Sequence, residues 1–465
     1  MKPIMRRIAG PLCALAVAVA GAPAAAQTLG DALVDAYRNS NLLEQNRAVL
    51  RAADEDVAVA VAGLRPVVNF IARINASTTP GLVGTTNTLS NTLALSADLT
   101  LIDFGRGQLG IDAAKANVLA TREALVSVEQ NVLLSAVRAY MDVRSASETV
   151  GLRESNVRLI TQELQAARDR FEVGEITRTD VAIAEARLAG ARSNVAAAQG
   201  DLEVAREAYK AATGAYPPGA LRAPPSPPAL PASLEDAQGI ARRSQPAIRQ
   251  IQHEVTAADL NVERAALTRH GEVSAGAEIS LNTEQRFGQL NTTERAGVSL
   301  SYNRPIYQGG RLPALHRQAV ARRDAQRSGL HQTVAEVLQD VGQAWANLSV
   351  ARARIEASQL QIEAAETAYE GVSQEAELGA RTTLDVLNAE QELLDARSAR
   401  IAAEAGQQVA VYSLLASMGL LTVEHLNLGI PTYDPEAYYN AVRDAPLRSP
   451  QGESLDRVLQ SIGRP

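Results

Sequence analysis

An internal duplication constrains this chain more than any other feature of its sequence. Short motifs recur at a constant offset of 205 residues: Asp31–Ala32 and Asp236–Ala237, Asp180–Val181 and Asp385–Val386, and the glycines Gly174 and Gly379. Repeats of ~20–50 residues are typical of solenoids, whereas one long duplication indicates two copies of a larger unit. We therefore expect two equivalent repeats, residues 27–214 and 233–430, joined by a stiff linker, residues 215–232, that contains seven prolines.

The two ends of the chain fall outside this duplication. Residues 1–26 combine a basic start (Lys2, Arg6 and Arg7), an apolar stretch and a small-residue site at Ala24–Ala26, a pattern typical of a secretory signal peptide. They also contain Cys13, the single cysteine, so we expect a mature chain without disulfides. The C-terminal tail, residues 431–465, gives no clear prediction of fold.

Each repeat ends in a long stretch without proline that is rich in strong helix formers. Apolar residues recur every seven positions in these stretches, at Val143, Val150, Val157, Leu164 and Phe171 and at Val334, Val341, Leu348, Ile355, Ile362 and Tyr369. This spacing predicts coiled coils, and the first helix would run ~100 Å, longer than a compact bundle. Glycine and capping residues follow, so we expect antiparallel helical hairpins at residues 105–214 and 310–419.

Ahead of each hairpin lie two segments with alternating polar and apolar residues, at positions 67–78 and 89–101 and at 272–282 and 294–304. Their lengths match the ~9–11 residues of a tilted strand that crosses a bilayer. Periodicity alone leaves a soluble four-stranded sheet equally open. The secretion signal and the long helices favour membrane strands, and four such strands must share a barrel with other subunits. We expect the polar segments 79–88 and 283–292 to be loops.

The composition and the remaining motifs exclude several other functions. With 45 basic and 52 acidic residues, the net charge of -7 makes nucleic acid an unsuitable partner. The five histidines have no metal-ligand spacing. Gly105–Gly110 matches G-x-G-x-x-G, but the helix that follows is too long for a dinucleotide fold. We therefore expect no enzyme, no cofactor and no metal site.

Three motifs carry a resemblance to a known family: residues 170–174 (RFEVG), 305–310 (PIYQGG) and 378–387 (LGARTTLDVL). With the duplication and the strand pairs, they make residues 28–430 similar to the TolC family of outer-membrane efflux and type I secretion channel proteins. The resemblance implies an α+β membrane protein with four transmembrane β-strands per protomer in a shared twelve-stranded trimeric barrel. Long coiled-coil hairpins would continue this barrel as a tunnel through the periplasm.

The same resemblance implies a passive exit duct in the bacterial outer membrane, gated at its periplasmic end. Its partners would be two further copies of the chain, outer-membrane lipid, a periplasmic adaptor (membrane fusion) protein and an inner-membrane pump or ABC transporter. The adaptor would contact the hairpin tips at Val173, Gly174, Leu378 and Gly379, where glycines that simply end a helix are an equally compatible interpretation.

The family also closes its tunnel entrance with links between neighbouring tips, and the matching residues here are Arg381, Thr179 and Asp180. Of the family's two constriction aspartates, Asp385 matches the first, whereas Asn388 replaces the second. Ala376 replaces a tyrosine that supports this latch. For Asp385, an acidic helix cap is the alternative to a gate residue.

Two other functions remain as alternatives: a periplasmic adaptor and a coiled-coil scaffold of an export complex. An adaptor would have one hairpin and a membrane anchor, and a scaffold would be released from membranes without detergent. The exported cargo, drugs or polypeptide, is not determined by the sequence.

Overall fold

The computed structural model describes residues 27–81, 84–225, 228–286 and 289–446, together with Arg457; the expected signal peptide lies outside these ranges. The first repeat contains α1 (Leu29–Asn39), α2 (Asn41–Ala62), β1 (Val67–Gly81), β2 (Gly84–Ile102), α3 (Arg106–Glu172) and α4 (Arg178–Thr213). The second contains α5 (Leu234–Ser244), α6 (Pro246–Leu267), β3 (Glu272–Arg286), β4 (Gln289–Asn303), α7 (Arg311–Glu377) and α8 (Thr383–Ser417). Each element of the second repeat begins 205 residues after its counterpart in the first.

The four strands form one antiparallel sheet in the order β1-β2-β3-β4. Phe70 lies opposite Leu95, Leu95 opposite Ile279, and Ile279 opposite Ala296. Residues opposite each other in antiparallel strands share a face of the sheet. The register therefore brings the apolar rows of all four strands to one face. Among the described residues, one edge each of β1 and β4 has no partner strand.

The expectation of loops at residues 79–88 and 283–292 is wrong. Pairing continues to Gly81 opposite Gly84 in the first strand pair and to Arg286 opposite Gln289 in the second. The first segment is rich in threonine, a β-branched residue that favours strands, and in both segments polar composition alone is a poor marker of a loop. The strands consequently extend well past the length needed to cross a bilayer.

The helices form two antiparallel hairpins, α3 with α4 and α7 with α8. The two 67-residue helices, α3 and α7, are each ~100 Å long. Seam residues such as Val143, Leu164, Val341 and Leu348 are buried, in agreement with the seven-residue spacing. None of the helices in the described ranges combines the length and the apolar character that a membrane span requires.

The main hydrophobic core lies where α1 and α5 pack against the middle of the long helices. Its largest fully buried side chains include Tyr140, Tyr209, Leu133 and Leu414. The hydroxyl oxygen of Tyr140 lies 3.0 Å from the backbone oxygen of Gln27 and 2.7 Å from that of Arg222, and its single proton is shared between these two acceptors. This tyrosine thus fastens both the start of the first repeat and the proline-rich linker to the core.

The C-terminal tail folds in part, which the sequence did not predict. Residues Pro435–Val442 form a ninth helix, α9, which packs on α2. The backbone N–H of Tyr433 donates to the Tyr37 hydroxyl group (3.2 Å), and the Arg122 guanidinium stacks on the Tyr439 ring (5.3 Å). A short helix preceded by prolines has no long periodic pattern, so its stability comes from these tertiary contacts.

Candidate functional site

The tips of the two hairpins have the same backbone geometry. Gly174 and Gly379 both adopt a left-handed conformation, with φ of 82° and 77°. Beyond them, the N–H of Glu175 donates to the carbonyl oxygen of Arg170 (2.9 Å), and the N–H of Ala380 does the same to Glu375 (2.8 Å). These bonds satisfy carbonyl groups that the helix end leaves free, and a side chain at either glycine would strain the turn. The predicted helix-ending role of both glycines follows directly from this geometry.

Each returning helix begins with a capping box. Asp180 Oδ2 accepts hydrogen bonds from the backbone N–H (2.9 Å) and the hydroxyl (2.7 Å) of Thr177. Asp385 Oδ2 accepts the same pair from Thr382, at 3.0 and 2.8 Å. Because these bonds stabilise the ionised form, the pKa of each carboxyl group lies below its ordinary value. Both aspartates are therefore negatively charged at neutral pH.

The other expected gate residues lie at the same end of the molecule. The Nε of Arg381 is 2.8 Å from Glu375 Oε2 in an ion pair within its own tip. Thr179 is exposed, and no hydrogen bond or ion pair joins Arg381 to Thr179 or Asp180 within the described residues of this single chain. The single chain therefore brings the gate residues to one end without linking them to each other.

The predicted adaptor contacts project into solvent at the tips. Val173 is 72% exposed and Leu378 is 86% exposed, at equivalent positions just before the two glycines. Exposed apolar side chains that recur at equivalent positions are typical of a surface that another protein covers.

Two polar contacts near the tips were missed by the sequence analysis. Arg187 Nη2 on α4 donates to Asn388 Oδ1 on α8 (3.0 Å), so Asn388 has a structural partner. Asn156 Nδ2 on α3 donates to Glu390 Oε1 on α8 (2.6 Å), and both side chains are buried. A signal for Glu390 was available, because it occupies the apolar stripe of α8 where the helical period calls for an aliphatic residue.

At the opposite end of the molecule, the apolar face of the sheet is uncovered. Val298 is 87% exposed and Phe70 is 71% exposed, and most of the neighbouring leucine, isoleucine and valine side chains of the same face are also exposed. No helix of the described part of the chain packs extensively on the sheet. The described helices therefore do not cover the apolar rows, contrary to what the soluble alternative requires.

The described residues contain no cluster of histidine, cysteine, aspartate or glutamate that could hold a metal ion. Two cavities, of about 1230 and 1170 Å³, are open grooves between the helices. Their lining is rich in alanine, glutamine and asparagine, without a convergent set of catalytic groups.

Comparison with known proteins supports the fold described above. Residues 32–215 and 239–420 match the family described as outer membrane efflux protein. The chain is 35% identical over 437 residues to the outer membrane efflux protein BepC of Brucella suis biovar 1, covering 93% of this chain and 94% of that protein. It is 27% identical to the alkaline protease secretion protein AprF of Pseudomonas aeruginosa, covering 63% of this chain and 61% of that protein.

Among solved structures, the outer-membrane channel OprN has the same fold. It superposes with a TM-score of 0.73 at 23% identity, covering 84% of this chain and 89% of OprN. The fold and the resemblance expected from the sequence are thereby confirmed. Because both repeats match one family model and the likeness to BepC spans nearly the whole chain, this protein belongs to the outer membrane efflux protein family.

Proposed function

We propose that three copies of the chain share one barrel in the outer membrane. The observation that carries this proposal is the four-stranded sheet with an exposed apolar face and two unpaired edges. Unpaired strand edges are not tolerated in lipid, and four strands are too few to close on themselves. Pairing of β1 with β4 of a neighbouring copy would remove every edge, and three copies would supply twelve strands.

The protein is a channel of the bacterial outer membrane, and its helical part lies in the periplasm. We propose that it is the passive exit duct of a tripartite efflux pump or a type I secretion system. In this role the exposed tips at Val173–Gly174 and Leu378–Gly379 bind a periplasmic adaptor protein. The adaptor connects the duct to an inner-membrane pump or ABC transporter, and this chain has no catalytic step of its own.

At the tips, we propose that Arg381 of one copy binds Thr179 and Asp180 of the next and holds the entrance closed. Arg381 would exchange its present partner, Glu375, for these groups when the copies assemble. Three copies of Asp385 around the threefold axis would place like charges together, attract cations and repel anions. Asn388 adds no charge to this ring, so the cation preference should be weaker than with two aspartates.

We also propose that residues 1–26 are removed on export. The contacts of Gln27 support cleavage before this residue, because they make it the first part of the folded repeat. Its side chain donates a hydrogen bond to Asp35 (2.9 Å) and accepts one from the Tyr209 hydroxyl group (2.7 Å). Mass spectrometry of the purified mature protein should find a first residue of Gln27. An intact N-terminus would contradict the signal-peptide assignment.

The experiment that tests the duct is reconstitution of the detergent-purified protein. We expect native mass spectrometry to detect three chains per particle and planar bilayers to conduct with a preference for cations. A water-soluble monomer without conductance would refute the proposal and favour the periplasmic scaffold.

A further inference from the structure

The two hairpins are joined near their tips by one short segment of α8. Leu387 from this segment packs into a small apolar cluster with Ile160 and Leu164 of α3 and Leu188 of α4. The two hydrogen bonds described above, to Asn388 and to Glu390, are the only side-chain hydrogen bonds from one hairpin to the other among the described residues. One turn of α8, residues 387–390, therefore carries the contact between the hairpins at the entrance end.

Glu390 is an unusual residue for this position. It is 4% exposed and lies on the apolar stripe of α8, where its neighbours along the stripe are Val386, Leu387, Leu393 and Leu394. Its single hydrogen-bond partner in the described structure is Asn156, which is also buried. A buried carboxylate with one neutral donor is poorly compensated for its lost hydration.

Charged and titratable groups face Glu390 from each helix packed around it. They are Glu163 on α3, Arg187 on α4 and Tyr369 on α7. Burial and then the charge of Glu163 raise the pKa of Glu390 to about 7, although the hydrogen bond from Asn156 and the charge of Arg187 act in the opposite direction.

The pKa of Glu163 is also above its ordinary value. Burial raises its pKa, the nearby Glu377 adds to this effect, and Arg170 opposes it. Two carboxyl groups on facing helices thus both have raised pKa values, and that of Glu390 lies close enough to neutrality for the contact between the hairpins to bind a proton there.

We propose that Glu390 is the positioning residue that holds the second hairpin against the first at the entrance, and that one proton on its carboxyl group sets the strength of this contact. The proposal rests on the proposed function only in treating the hairpin tips as the entrance of a duct. It adds a pH response that the tip residues Arg381, Thr179, Asp180 and Asp385 do not provide, because the pKa values of both aspartates are lowered.

The direction of the response follows from the two environments of Glu390. While the two hairpins are packed together, the pKa of Glu390 is about 7. When the hairpins separate and water reaches the carboxyl group, its pKa returns towards the ordinary 4.5. Below the lower value both arrangements hold the proton, so pH has no effect. Between the two values separation releases a proton, so rising pH favours separation by up to about tenfold per pH unit in each copy. Above a pH of about 7, Glu390 is ionised in both arrangements, and the preference for separation no longer changes with pH. Alkaline pH therefore opens the entrance and acidic pH closes it.

Conductance of the reconstituted wild-type protein in planar bilayers between about pH 5 and pH 9 tests this response. We expect the open fraction to rise with pH and to level off near the pKa of Glu390. Glu390→Gln keeps the size and the acceptor for Asn156 but carries no charge, so its open fraction should stay low and flat. Glu392→Gln, at an exposed position of the same helix, is the matched control and should keep the wild-type profile.

A second variant tests whether Asn156 stabilises the ionised carboxylate of Glu390 or only fills space between the helices. Asn156→Ala removes the donor that stabilises the ionised carboxylate, so the midpoint of the profile should move to higher pH. If Asn156 only filled space, the amplitude would change and the midpoint would not.

Two readouts do not depend on conduction. Infrared difference spectra should show a protonated carboxyl band that titrates near neutral pH, disappears in Glu390→Gln and persists in Glu392→Gln. Fluorescent labels on Glu154→Cys and Asp395→Cys, at exposed positions of α3 and α8, should move apart as the pH rises.

The outcomes distinguish this inference from the duct itself. The role of Glu390 would be overturned, even if the protein conducts, by either of two results. One is a Glu390→Gln variant whose open fraction changes with pH as in the wild type, and the other is a distance between the labels that does not change with pH. Absence of conductance at every pH, with the infrared band and the label movement as expected, would instead refute the duct. The proton-dependent contact between the hairpins would then still be supported.

Discussion

At the scale of single residues, Asp385 combines a local and a proposed functional role. The structure shows the local one, because its carboxylate closes the capping box of α8 with Thr382. The cap keeps Asp385 ionised and fixes its position at the tip, which is what a charged constriction requires. The cap and the gate are therefore compatible, although the sequence analysis treated them as alternatives.

We expect Asp385→Asn to conduct with a reduced preference for cations, because the amide can still accept the capping hydrogen bonds but carries no charge. The reversal potential under a salt gradient in planar bilayers measures this preference. Asp201→Asn, at an exposed position of α4, is the control. Unaltered selectivity in Asp385→Asn would remove this residue from the constriction.

Asp54 on α2 is a second residue whose environment predicts a measurable effect. It is fully buried beneath the C-terminal tail, and neither carboxylate oxygen has a hydrogen-bond partner among the residues that the structure describes. Burial raises its pKa from 3.8 to about 6, and the nearby Arg122 only partly offsets this effect. Because the folded pKa is raised, the folded state loses stability as the pH rises from 3.8 to about 6, and the full cost of the ionised carboxylate is present above that range.

Asp54→Asn should raise the melting temperature at pH 8, where the wild-type carboxylate is ionised, by the equivalent of at most ~3 kcal/mol. The gain should shrink as the pH falls from 6 towards 3.8, since protonation then removes the cost in the wild type. Thermal unfolding of the detergent-solubilised protein at both ends of this range measures it. An equal gain at both pH values would show that the charge of Asp54 is not the cause.

At the scale of the elements, α9 depends on aromatic contacts to α2 and α3. Arg47 stacks between the rings of Tyr37 (5.3 Å) and Tyr433 (5.2 Å), and Arg122 stacks on Tyr439. A helix of 8 residues is too short to be stable alone, so these contacts hold it in place.

Tyr439→Ala should therefore lower the free energy of unfolding by about 1–2 kcal/mol and make the tail sensitive to proteases. Tyr439→Phe keeps the ring and should behave like the wild type. Limited proteolysis and thermal unfolding of the two variants provide the comparison. Equal loss of stability in both would indicate that the hydroxyl group, and not the ring, secures α9.

At the scale of the whole molecule, the two faces of the sheet have opposite chemistry. Val298 lies in one row with Val68, Ala97 and Ala277, whereas the adjacent Ser299 points to the polar face. In the proposed trimer the first face contacts lipid and the second lines the channel.

Val298→Lys should prevent stable insertion, because a charge facing lipid near the bilayer midplane costs about 2–4 kcal/mol in each copy. Ser299→Lys, one position along the same strand, should insert normally and change only the conductance. Retention of each variant in membranes after an alkaline wash is the measurement. Equal retention of both variants would contradict the assignment of the lipid-facing side.

Local sequence determined the elements of this protein and their order. Backbone geometry sets a period of two for strands and about 3.6 for helices, so alternation and seven-residue spacing identify each element from neighbours along the chain. The same applies to the tips, since a left-handed turn favours glycine and a helix start favours threonine with aspartate. Because each element recurs 205 residues later, the helices and strands predicted for the first repeat are also predicted for the second.

Only the tertiary structure decided which surfaces meet. The pairing of Asn156 with Glu390, 234 positions apart, depends on how two long helices are rotated and staggered against each other. The docking of α9 on α2 likewise depends on partners distant in sequence. Patterns within one segment show which side chains will be buried, but packing between segments selects their partners, and near the hairpin tips that packing raises the pKa of Glu390.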